Sequence, residues 1–521
     1  MARSAASAGA ATMTSRVLGV VREQVLAYYF GAGDAMDAFK VAYRVPNLLR
    51  DLFAEGAMSA AFVPTFARSL AAGGKPAAFR LGAYVVSALL LITGVVAVLG
   101  MVFAEPLVRL FASDYGDVPG KLELTVLLTR IMLPFLTFVA LAAAFMGMLN
   151  ALHHFFVPAV SPAMFNVGSI VCTVGLIAVM PQVGLPAIAA VAIGTIVGGL
   201  AQWLVQWPLL RREGFRYRPV LDWRDEGLRR VLLLMGPGTI GLAATQVNVF
   251  VNTLLATREG TGAVSWLDAA FRLMYLPIGL FGVSIATATT PAISRMLAQG
   301  DSTKVKKTIA DGLVLMMILN VPATVGLIAL AEPIVRLMYE RGRFMPSDTI
   351  AAAAALQFYA VGLLGYSVVR IASPAFYALG QSRVPVTVSF ITVLANAALN
   401  FGLVRVMGYR GLALGTSIAA LLNAGLLLMM LRRRLGGIEG GAIISALLRI
   451  GIAAVLMGAA AVGADAFLAE RIPGNGIAAQ LVRVGATIGL ALAVLAVAAH
   501  LLRVPQFAEA VSLIKRRLRR N

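Results

Sequence analysis

The chain has 521 residues, of which 60% are hydrophobic and 13% are charged, and its formal net charge is +20. Soluble domains carry about 25% charged residues, so this composition excludes a single water-soluble core and indicates a membrane protein. The basic residues follow a topological pattern along the chain, which argues against a nucleic-acid partner. The single cysteine, Cys172, excludes an intrachain disulfide, and with only three histidines it argues against a structural zinc site.

Apolar stretches long enough to cross a bilayer recur along the chain. A helix needs about 20 residues to cross the hydrocarbon core. Twelve segments have this character: 79–103, 124–149, 156–180, 185–210, 231–256, 266–290, 309–331, 350–379, 384–404, 411–431, 442–464 and 478–502. Two more helices are expected before them, near 12–32 and 35–67, and because both carry charges we expect them to face a wet interior. The sequence predicts an all-α membrane protein with fourteen transmembrane helices.

Lysine and arginine are distributed unequally between the two sets of predicted loops. Twenty-five lie on the side of the termini and nine lie on the opposite side. The positive-inside rule therefore predicts that both termini are cytoplasmic. Residues 506–521, which include IKRRLRR, are expected to form a basic cytoplasmic tail near anionic lipid headgroups.

One recurring offset of 227 residues indicates an internal duplication. PTFARSLAAG at 64–73 resembles PAISRMLAQG at 291–300, and the dipeptides Ala-Leu, Val-Pro and Gly-Leu recur at the same spacing. Each repeat would hold six spans, so the halves share one orientation and are related by a pseudo-two-fold axis along the membrane normal. The predicted domains are two six-helix lobes around a central cavity, at 1–215 and 216–435, two added spans at 436–505, and the tail. A channel stays open as an alternative architecture.

Ionisable residues are concentrated in the first lobe, where each costs about 2.5–3.5 kcal/mol or more at bilayer depth. The first two predicted helices and the turn between them carry these groups: Arg16, Arg22, Asp37, Lys40, Arg44, Arg50, Asp51 and Glu55. The second lobe adds Arg272, whose only acid within four residues is Asp268. Arginine binds phosphate in a bidentate manner, so the excess of cations favours an anion site. The alternative is that the arginines pair with the acids and only hold the lobe together.

The second lobe also carries uncharged polar residues, namely Asn248, Asn252, Asn396, Asn400 and Thr416. Their oxygens suit a small hard cation such as sodium, which would make a coupling monovalent cation possible. No carboxylate accompanies them in the sequence pattern, so interhelical hydrogen bonding is the favoured interpretation. No other metal site and no cofactor is predicted.

Three segments closely resemble the MurJ (MviN) lipid II flippases, and the likeness extends over the whole chain. They are SRVLGVVREQVLAYYFGAGDAMDAF at 15–39, VPNLLRDLFAEGAMSAAFVP at 45–64 and VSWLDAAFRLMYLPIGLFGVSIATATTPAISR at 264–295. The resemblance implies the fold of the multidrug/oligosaccharidyl-lipid/polysaccharide exporters. It also implies a bacterial inner-membrane flippase that moves lipid II, an undecaprenyl-diphosphate-linked disaccharide peptide, to the outer leaflet for peptidoglycan synthesis.

The resemblance further marks Arg16, Arg22, Asp37, Arg50, Glu55 and Arg272 as functional residues. It implies that the last two spans form a groove for the polyprenyl tail. The chain departs from the family pattern at Lys40, Asp51, Phe271 and Tyr275. The acids that surround Arg272 are therefore expected to differ from those of other members.

The expected mechanism is alternating access by a monomer that is not an enzyme. Arg16, Arg22, Arg50 and Arg272 would bind the diphosphate of the substrate in an inward-open cavity, where Lys40 and Arg44 are possible further cations. Asp37 and Glu55 would orient the arginines and close the gates. The membrane potential favours outward movement of an anion by about 2.3 kcal/mol per charge per 100 mV.

Two other classes of protein stay open as alternatives. A cation-coupled drug exporter would need an acidic cavity, opposite to the charge pattern of this chain. A membrane-bound enzyme of polyprenyl phosphates would need an Asp-rich metal motif or a histidine-based site. The nearest candidates for such a motif are Asp222, Asp225 and Glu226, which more plainly begin an interfacial helix among arginines.

Overall fold

The computed structural model describes residues 2–51, 57–279, 283–299, 301–474 and 476–504. These residues are helical throughout apart from short connections, without any strand, which confirms the predicted all-α fold class. The helices of the described part are α1 Ala2–Phe30, α2 Asp34–Arg50, α3 Ala57–Val102, α4 Ala104–Phe111, α5 Lys121–Met132, α6 Phe135–Ala151, α7 Phe156–Leu176, α8 Ala189–Leu204, α9 Trp207–Arg212, α10 Glu226–Thr257, α11 Ala263–Pro277, α12 Val283–Ala298, α13 Ser302–Ala329, α14 Ala331–Tyr339, α15 Pro346–Ala378, α16 Arg383–Met407, α17 Tyr409–Leu435, α18 Gly440–Arg471 and α19 Ile477–Leu501.

Ten helical segments of the described chain are long and apolar enough to cross a membrane. Helices α1 and α2, which carry most of the charge predicted for the first lobe, are not among these ten. The total of fourteen spans stays a prediction. The predicted basic tail at 506–521 lies outside the described residues.

Several predicted spans have helix bounds that differ from those expected, and two of the differences have a local cause. The connection expected between 67 and 79 is mostly helical, because α3 runs through it with one kink at Gly74, where φ is 66°. The span expected at 124–149 consists of α5 and α6, which are separated at Leu133 and Pro134. Proline lacks an amide hydrogen and its ring clashes with the preceding turn, so it interrupts the helix at this point.

The helix bounds repeat at the offset found in the sequence. When 227 is added to the first residues of α2, α4 and α7, the results fall within two residues of the starts of α11, α14 and α16. The pair α5 and α6 corresponds to the single helix α15. The kink at Gly74 corresponds to Asp301, whose side chain accepts a hydrogen bond from the Lys304 amide and caps α13. The duplication is therefore present in the secondary structure as well as in the sequence.

The chain divides into two compact units, and the lobe boundaries predicted at 215 and 435 are separate from this division and stay predictions. Unit 1 comprises Met1–Ser265 together with Arg341–Phe344, and unit 2 comprises Trp266–Glu340 with Met345–Asn521. In unit 1, α1 packs against α7, α2 against α5, and α3 against both α6 and α10.

The short segment Arg341–Phe344 belongs to unit 1 because of a close backbone contact with the end of α1. The Arg343 amide donates to the Tyr28 carbonyl oxygen at 2.9 Å. A Cβ atom on Gly31 would lie 2.3 Å from the Arg343 carbonyl oxygen, and φ at Gly31 is 63°. Only glycine fits such a close approach in the left-handed region, so this contact requires Gly31.

In unit 2, α15 packs closely against α17, and α18 packs against both α13 and α19. A Cβ atom on Gly365 would lie 2.5 Å from the Ala420 carbonyl oxygen, so small residues allow the backbones of α15 and α17 to approach. The hairpin of α18 and α19 contains one interhelical ion pair, Arg483 Nε to Asp465 Oδ1, at 3.3 Å. The side chains of this pair are 11% and 22% exposed.

Candidate functional site

A compact ion network joins α1 to α2 within unit 1. Lys40 Nζ donates to Glu23 Oε2 at 2.7 Å, and Arg22 Nη2 donates to Glu23 Oε1 at 2.9 Å. Glu23 and Lys40 are 8% and 9% exposed, and the Arg22 guanidinium lies 5.2 Å from the centre of the Phe165 ring. One carboxylate therefore meets two cations, and Arg22 Nε is buried without a hydrogen-bond partner.

The C-terminal end of α2 carries a second group of ions, whose side chains are more exposed to solvent. Arg50 Nη2 contacts Asp51 Oδ1 at 2.8 Å, and Gln246 of α10 donates to Asp51 Oδ2 at 3.1 Å. The Arg50 side chain is 25% exposed. Arg44 is half-buried and Arg16 is exposed. Glu55, which the sequence also predicted for this region, lies outside the described residues.

Asp37 is fully buried and holds the first turn of α11. Its carboxylate accepts hydrogen bonds from the Gly262 amide at 2.7 Å, the Ser265 amide at 3.1 Å and the Ser265 hydroxyl at 2.7 Å. The first amides of a helix have no partner within the helix, and the positive end of its dipole favours a carboxylate. Among the described residues, the hydrogen bonds of Asp37 therefore go to this helix start and not to the predicted arginines.

Lys121, at the start of α5, completes the charge balance around Asp37. Its ammonium lies 3.6 Å from Asp37 and 2.7 Å from Asp34, and it is 4.3 Å from the centre of the Tyr115 ring. The Thr261 hydroxyl also donates to Asp34 at 2.7 Å. Lys121 is one of the nine cations predicted to lie in the loops opposite the termini, and no site role was predicted for it. The sequence signal that could have indicated it is a lysine placed directly after a glycine, at the first residue of a predominantly apolar helix.

Unit 2 carries Arg272, which contacts Asp268 one turn earlier on α11 at 2.8 Å. The Arg272 side chain is 39% exposed, so its charge is accessible to solvent or to a ligand. Around it, Phe271 stacks on Tyr275, and Arg370 of α15 donates to the Tyr275 hydroxyl. The two positions that the sequence singled out as departures from the family pattern thus form an aromatic surface beside Arg272.

The uncharged candidates for a cation site do not converge within one unit. Asn248 and Asn252 belong to α10 of unit 1, whereas the other three lie on α16 and α17 of unit 2. Asn400 Nδ2 donates to Asn396 Oδ1 at 3.1 Å, and Asn396 Nδ2 lies 3.5 Å from Thr416 Oγ1. The first contact lies within α16 and the second joins α16 to α17, so the second supports the interpretation as interhelical hydrogen bonding. No group of three metal-binding acids, cysteines or histidines occurs among the residues that the structure describes.

A family model described as "Lipid II flippase MurJ" matches residues 26–482 of the chain. The "Probable lipid II flippase MurJ" of Vibrio cholerae serotype O1 is 36% identical over 427 residues, which cover 80% of each chain. The "Lipid II flippase MurJ" of Burkholderia cenocepacia is 35% identical over 427 residues, covering 81% of this chain and 82% of that protein. The chain belongs to the MurJ lipid II flippase family.

Solved structures support the MurJ fold over nearly the whole chain. The structure described as "Lipid II flippase MurJ, inward closed conformation" has a TM-score of 0.77 and 26% identity, and covers 95% of this chain and 99% of that chain. An inward-facing multidrug resistance MATE family transporter of the MOP superfamily has a TM-score of 0.69 and 15% identity, and covers 84% of this chain and 99% of its own. The second match shows a shared fold alone. The MurJ family and the ten candidate spans together make this chain a multi-pass membrane protein.

Proposed function

We propose that this chain carries lipid II from the cytoplasmic to the periplasmic leaflet of the bacterial inner membrane by alternating access, and thereby supplies peptidoglycan synthesis. The observation that carries the proposal is the match of residues 26–482 to the MurJ family model. Both termini are proposed to be cytoplasmic, on the strength of the positive-inside pattern. The proposed activity is transport without covalent chemistry.

The diphosphate of lipid II is proposed to bind the arginines of α1, α2 and α11, namely Arg16, Arg22, Arg50 and Arg272. In support, Arg22 Nε is a buried donor that lacks an acceptor, which a phosphate oxygen would supply. Arg50 and Arg272 keep 25% and 39% of their side chains exposed beside their acids. Each arginine is proposed to meet the diphosphate at some stage of the transport cycle. Lys40 and Arg44 are proposed to add positive potential.

Asp37 and Glu55 are proposed to act in gating. Three hydrogen bonds from Gly262 and Ser265 to the buried Asp37 carboxylate support the first assignment. They hold α2 to the start of α11 and would have to break if these two segments separated. The assignment of Glu55 rests on the family resemblance alone.

The polyprenyl tail is proposed to lie against the hairpin of α18 and α19. The outer faces of these helices are strongly apolar, with Leu448 62%, Val455 63% and Leu492 54% exposed. An acyl or polyprenyl chain contacts such a surface without losing solvation of polar groups. No counter-ion is required by the proposal, since the membrane potential already favours outward movement of an anion.

The proposal is tested by a leaflet-accessibility assay for lipid II in cells depleted of their own flippase and complemented with this chain. We expect lipid II to become accessible to a periplasmic probe with the wild-type chain. We expect it to stay in the cytoplasmic leaflet with Arg22→Ala or Arg272→Ala, at equal protein levels. Failure of the wild-type chain, expressed in the membrane, to restore accessibility would contradict the proposed function.

A further inference from the structure

A cavity of about 590 Å³ lies in unit 1 beside the kink of α3, and no residue of the α1–α2 ion network lines it. Its walls are formed by the start of the second half of α3 and by the segment that follows α9. The charged lining residues are Lys75, Arg80, Glu213, Arg216 and Arg218. Four cations and one carboxylate give these walls a formal charge of four minus one, or +3.

The segment after α9 is built so that two arginines face the same side. Along residues 215–218, aromatic residues that are buried or partly buried alternate with exposed arginines. Phe215 is 4% exposed and packs edge-on against Phe79 with ring centres 5.6 Å apart, and the Tyr217 hydroxyl lies 3.2 Å from Ser87 Oγ. Arg216 and Arg218 are the exposed residues of this alternation. The two inward rings thus hold the two arginines side by side at the cavity.

The one carboxylate of the cavity is already engaged. Glu213 accepts hydrogen bonds from Lys75 Nζ and from His154 Nε2, each at 2.8 Å. The hydrogen bond from Lys75, and then that from His154, lowers the pKa of the Glu213 carboxyl below its ordinary value. Among the described residues, Arg80, Arg216 and Arg218 have no carboxylate within ion-pair distance. Three guanidinium groups therefore remain available to a ligand.

We infer that this cavity binds a phosphate ester group. Guanidinium groups form bidentate contacts with phosphate oxygens, and three of them line this one cavity, Arg80 from α3 and Arg216 and Arg218 from the segment after α9. The remaining lining is apolar or aromatic and includes Phe79, Ala83 and Tyr84, which suits the glycerol or other organic part of an ester. A basic loop that only fixes topology needs charge but no common cavity.

The same chemistry has two possible sources, the headgroup of an anionic phospholipid or a soluble phosphate ester. The cavity adjoins the start of the span predicted at 79–103, on the predicted cytoplasmic side, where both are present. Binding at this cavity is separate from the diphosphate site proposed on α1, α2 and α11, because the two sets of residues do not overlap.

The test uses the purified full-length chain in a neutral detergent and measures binding by calorimetry. The probes are a short-chain phosphatidylglycerol, phosphatidylcholine of the same chain length, and glycerol 3-phosphate. The test variant is Arg216→Gln with Arg218→Gln. The matched control is Arg433→Gln with Arg434→Gln, which removes two exposed charges from the end of α17 on the same predicted side. Val220→Trp, at an exposed lining residue, obstructs the cavity without changing its charge.

We expect phosphatidylglycerol or glycerol 3-phosphate to bind the wild type and the α17 control alike. Loss of two charge-assisted hydrogen bonds should weaken binding by about tenfold or more in the test variant. Val220→Trp should also weaken it, with unchanged thermal unfolding in all variants. Binding of the phospholipid alone assigns a lipid headgroup, and binding of glycerol 3-phosphate as well assigns the phosphate ester itself. Equal weakening in test and control variants, or none in the test variant, would overturn the inference.

Discussion

Helices α2 and α11 occupy equivalent places in the two repeats, and their polar and apolar positions are exchanged. In α2, Val41 and Val45 are 0% and 5% exposed, while the neighbouring positions 40 and 44 are a lysine and an arginine. In α11 the positions equivalent to the two valines are Asp268 and Arg272. Leu267 and Phe271 stand where α2 has its cations. The charged stripe has moved by one residue, or about 100° around the helix.

This difference shows that the duplication preserved helix bounds while the helices acquired different tasks. Three charges of α2 pair with neighbouring helices, Lys40 with Glu23 of α1, and Asp34 and Asp37 with Lys121 of α5. The charge of α11 is carried by Arg272, whose side chain is more exposed. In the first repeat, ion pairs therefore join neighbouring helices, whereas in the second repeat the Arg272 side chain stays 39% exposed beside its acid.

The largest effect is expected from removal of the arginines proposed to bind diphosphate. Arg272→Ala in α11 should abolish lipid II transport with little change in thermal unfolding, and Arg22→Ala in α1 should abolish it while also removing one of the two cations that pair with Glu23. Each charge-assisted contact contributes about 1.5–3 kcal/mol, which corresponds to a loss of substrate affinity of about tenfold or more. Transport is measured by the leaflet-accessibility assay, and Arg433→Ala should retain it. Retention of transport by Arg22→Ala or by Arg272→Ala would remove that arginine from the proposed diphosphate site.

A transplant of the α11 pattern into α2 should damage folding. Val41→Asp places a carboxylate at a position with 0% exposure, and an uncompensated buried charge costs about 3–5 kcal/mol. The reverse change, Asp268→Val, removes one partner of a partly exposed ion pair and should cost about 1 kcal/mol or less. The measurement is the thermal unfolding temperature and membrane level of each variant. If Asp268→Val were the more destabilising of the two, the proposed division of tasks would be wrong.

A moderate effect is expected from the carboxylate that holds the start of α11. Asp37→Ala leaves the Gly262 and Ser265 donors without their acceptor and should lower the free energy of unfolding by about 1–3 kcal/mol. Ser265→Ala removes one of the three hydrogen bonds and should cost about 1 kcal/mol. The comparison is made by thermal unfolding in detergent. Equal losses in both variants would show that the capping role of Asp37 is not the source of its effect.

The smallest effect concerns Glu213 at the rim of the basic cavity. Because Lys75 and His154 lower the pKa of Glu213, its contacts contribute stability above its ordinary value of 4.5, and this contribution is lost as the pH falls through the lowered pKa. Glu213→Gln should therefore be less stable than the wild type at pH 7, by at most about 1 kcal/mol. The difference in unfolding temperature should shrink as the pH is lowered below that range. A difference that stayed constant with pH would rule out the ionised form as its cause.

The helices and the duplication were predictable because both are local or repeated properties of the sequence. Hydrophobic runs located most spans, and the shared spacing located the repeat. The continuity of α3 through 68–73 was missed. Alanine and leucine in this segment favour a helix, but the glycines and the proline that follow are typical of a helix end. A proline at 134 likewise divided a stretch that apolar composition alone had joined.

The site was predicted less completely, since its pairings join residues far apart in the chain. Asp37 and Ser265 are 228 residues apart, and no periodicity connects them. The prediction identified Asp37 but not its partners, Lys121 among them. The exchange of charged and apolar positions between α2 and α11 was also not predicted. The offset of 227 residues was found from proline, glycine and arginine matches that lie outside these two helices.

The ion pair between Asp465 and Arg483 has a consequence for how the last two helices enter the membrane. Each helix alone would bring an unpaired ion into the bilayer, at about 2.5–3.5 kcal/mol on insertion scales. Together the two ions neutralise each other across a turn of few residues. The hairpin should therefore be threaded into the lipid phase as one unit during biogenesis, and a chain truncated between α18 and α19 should be retained poorly by the membrane.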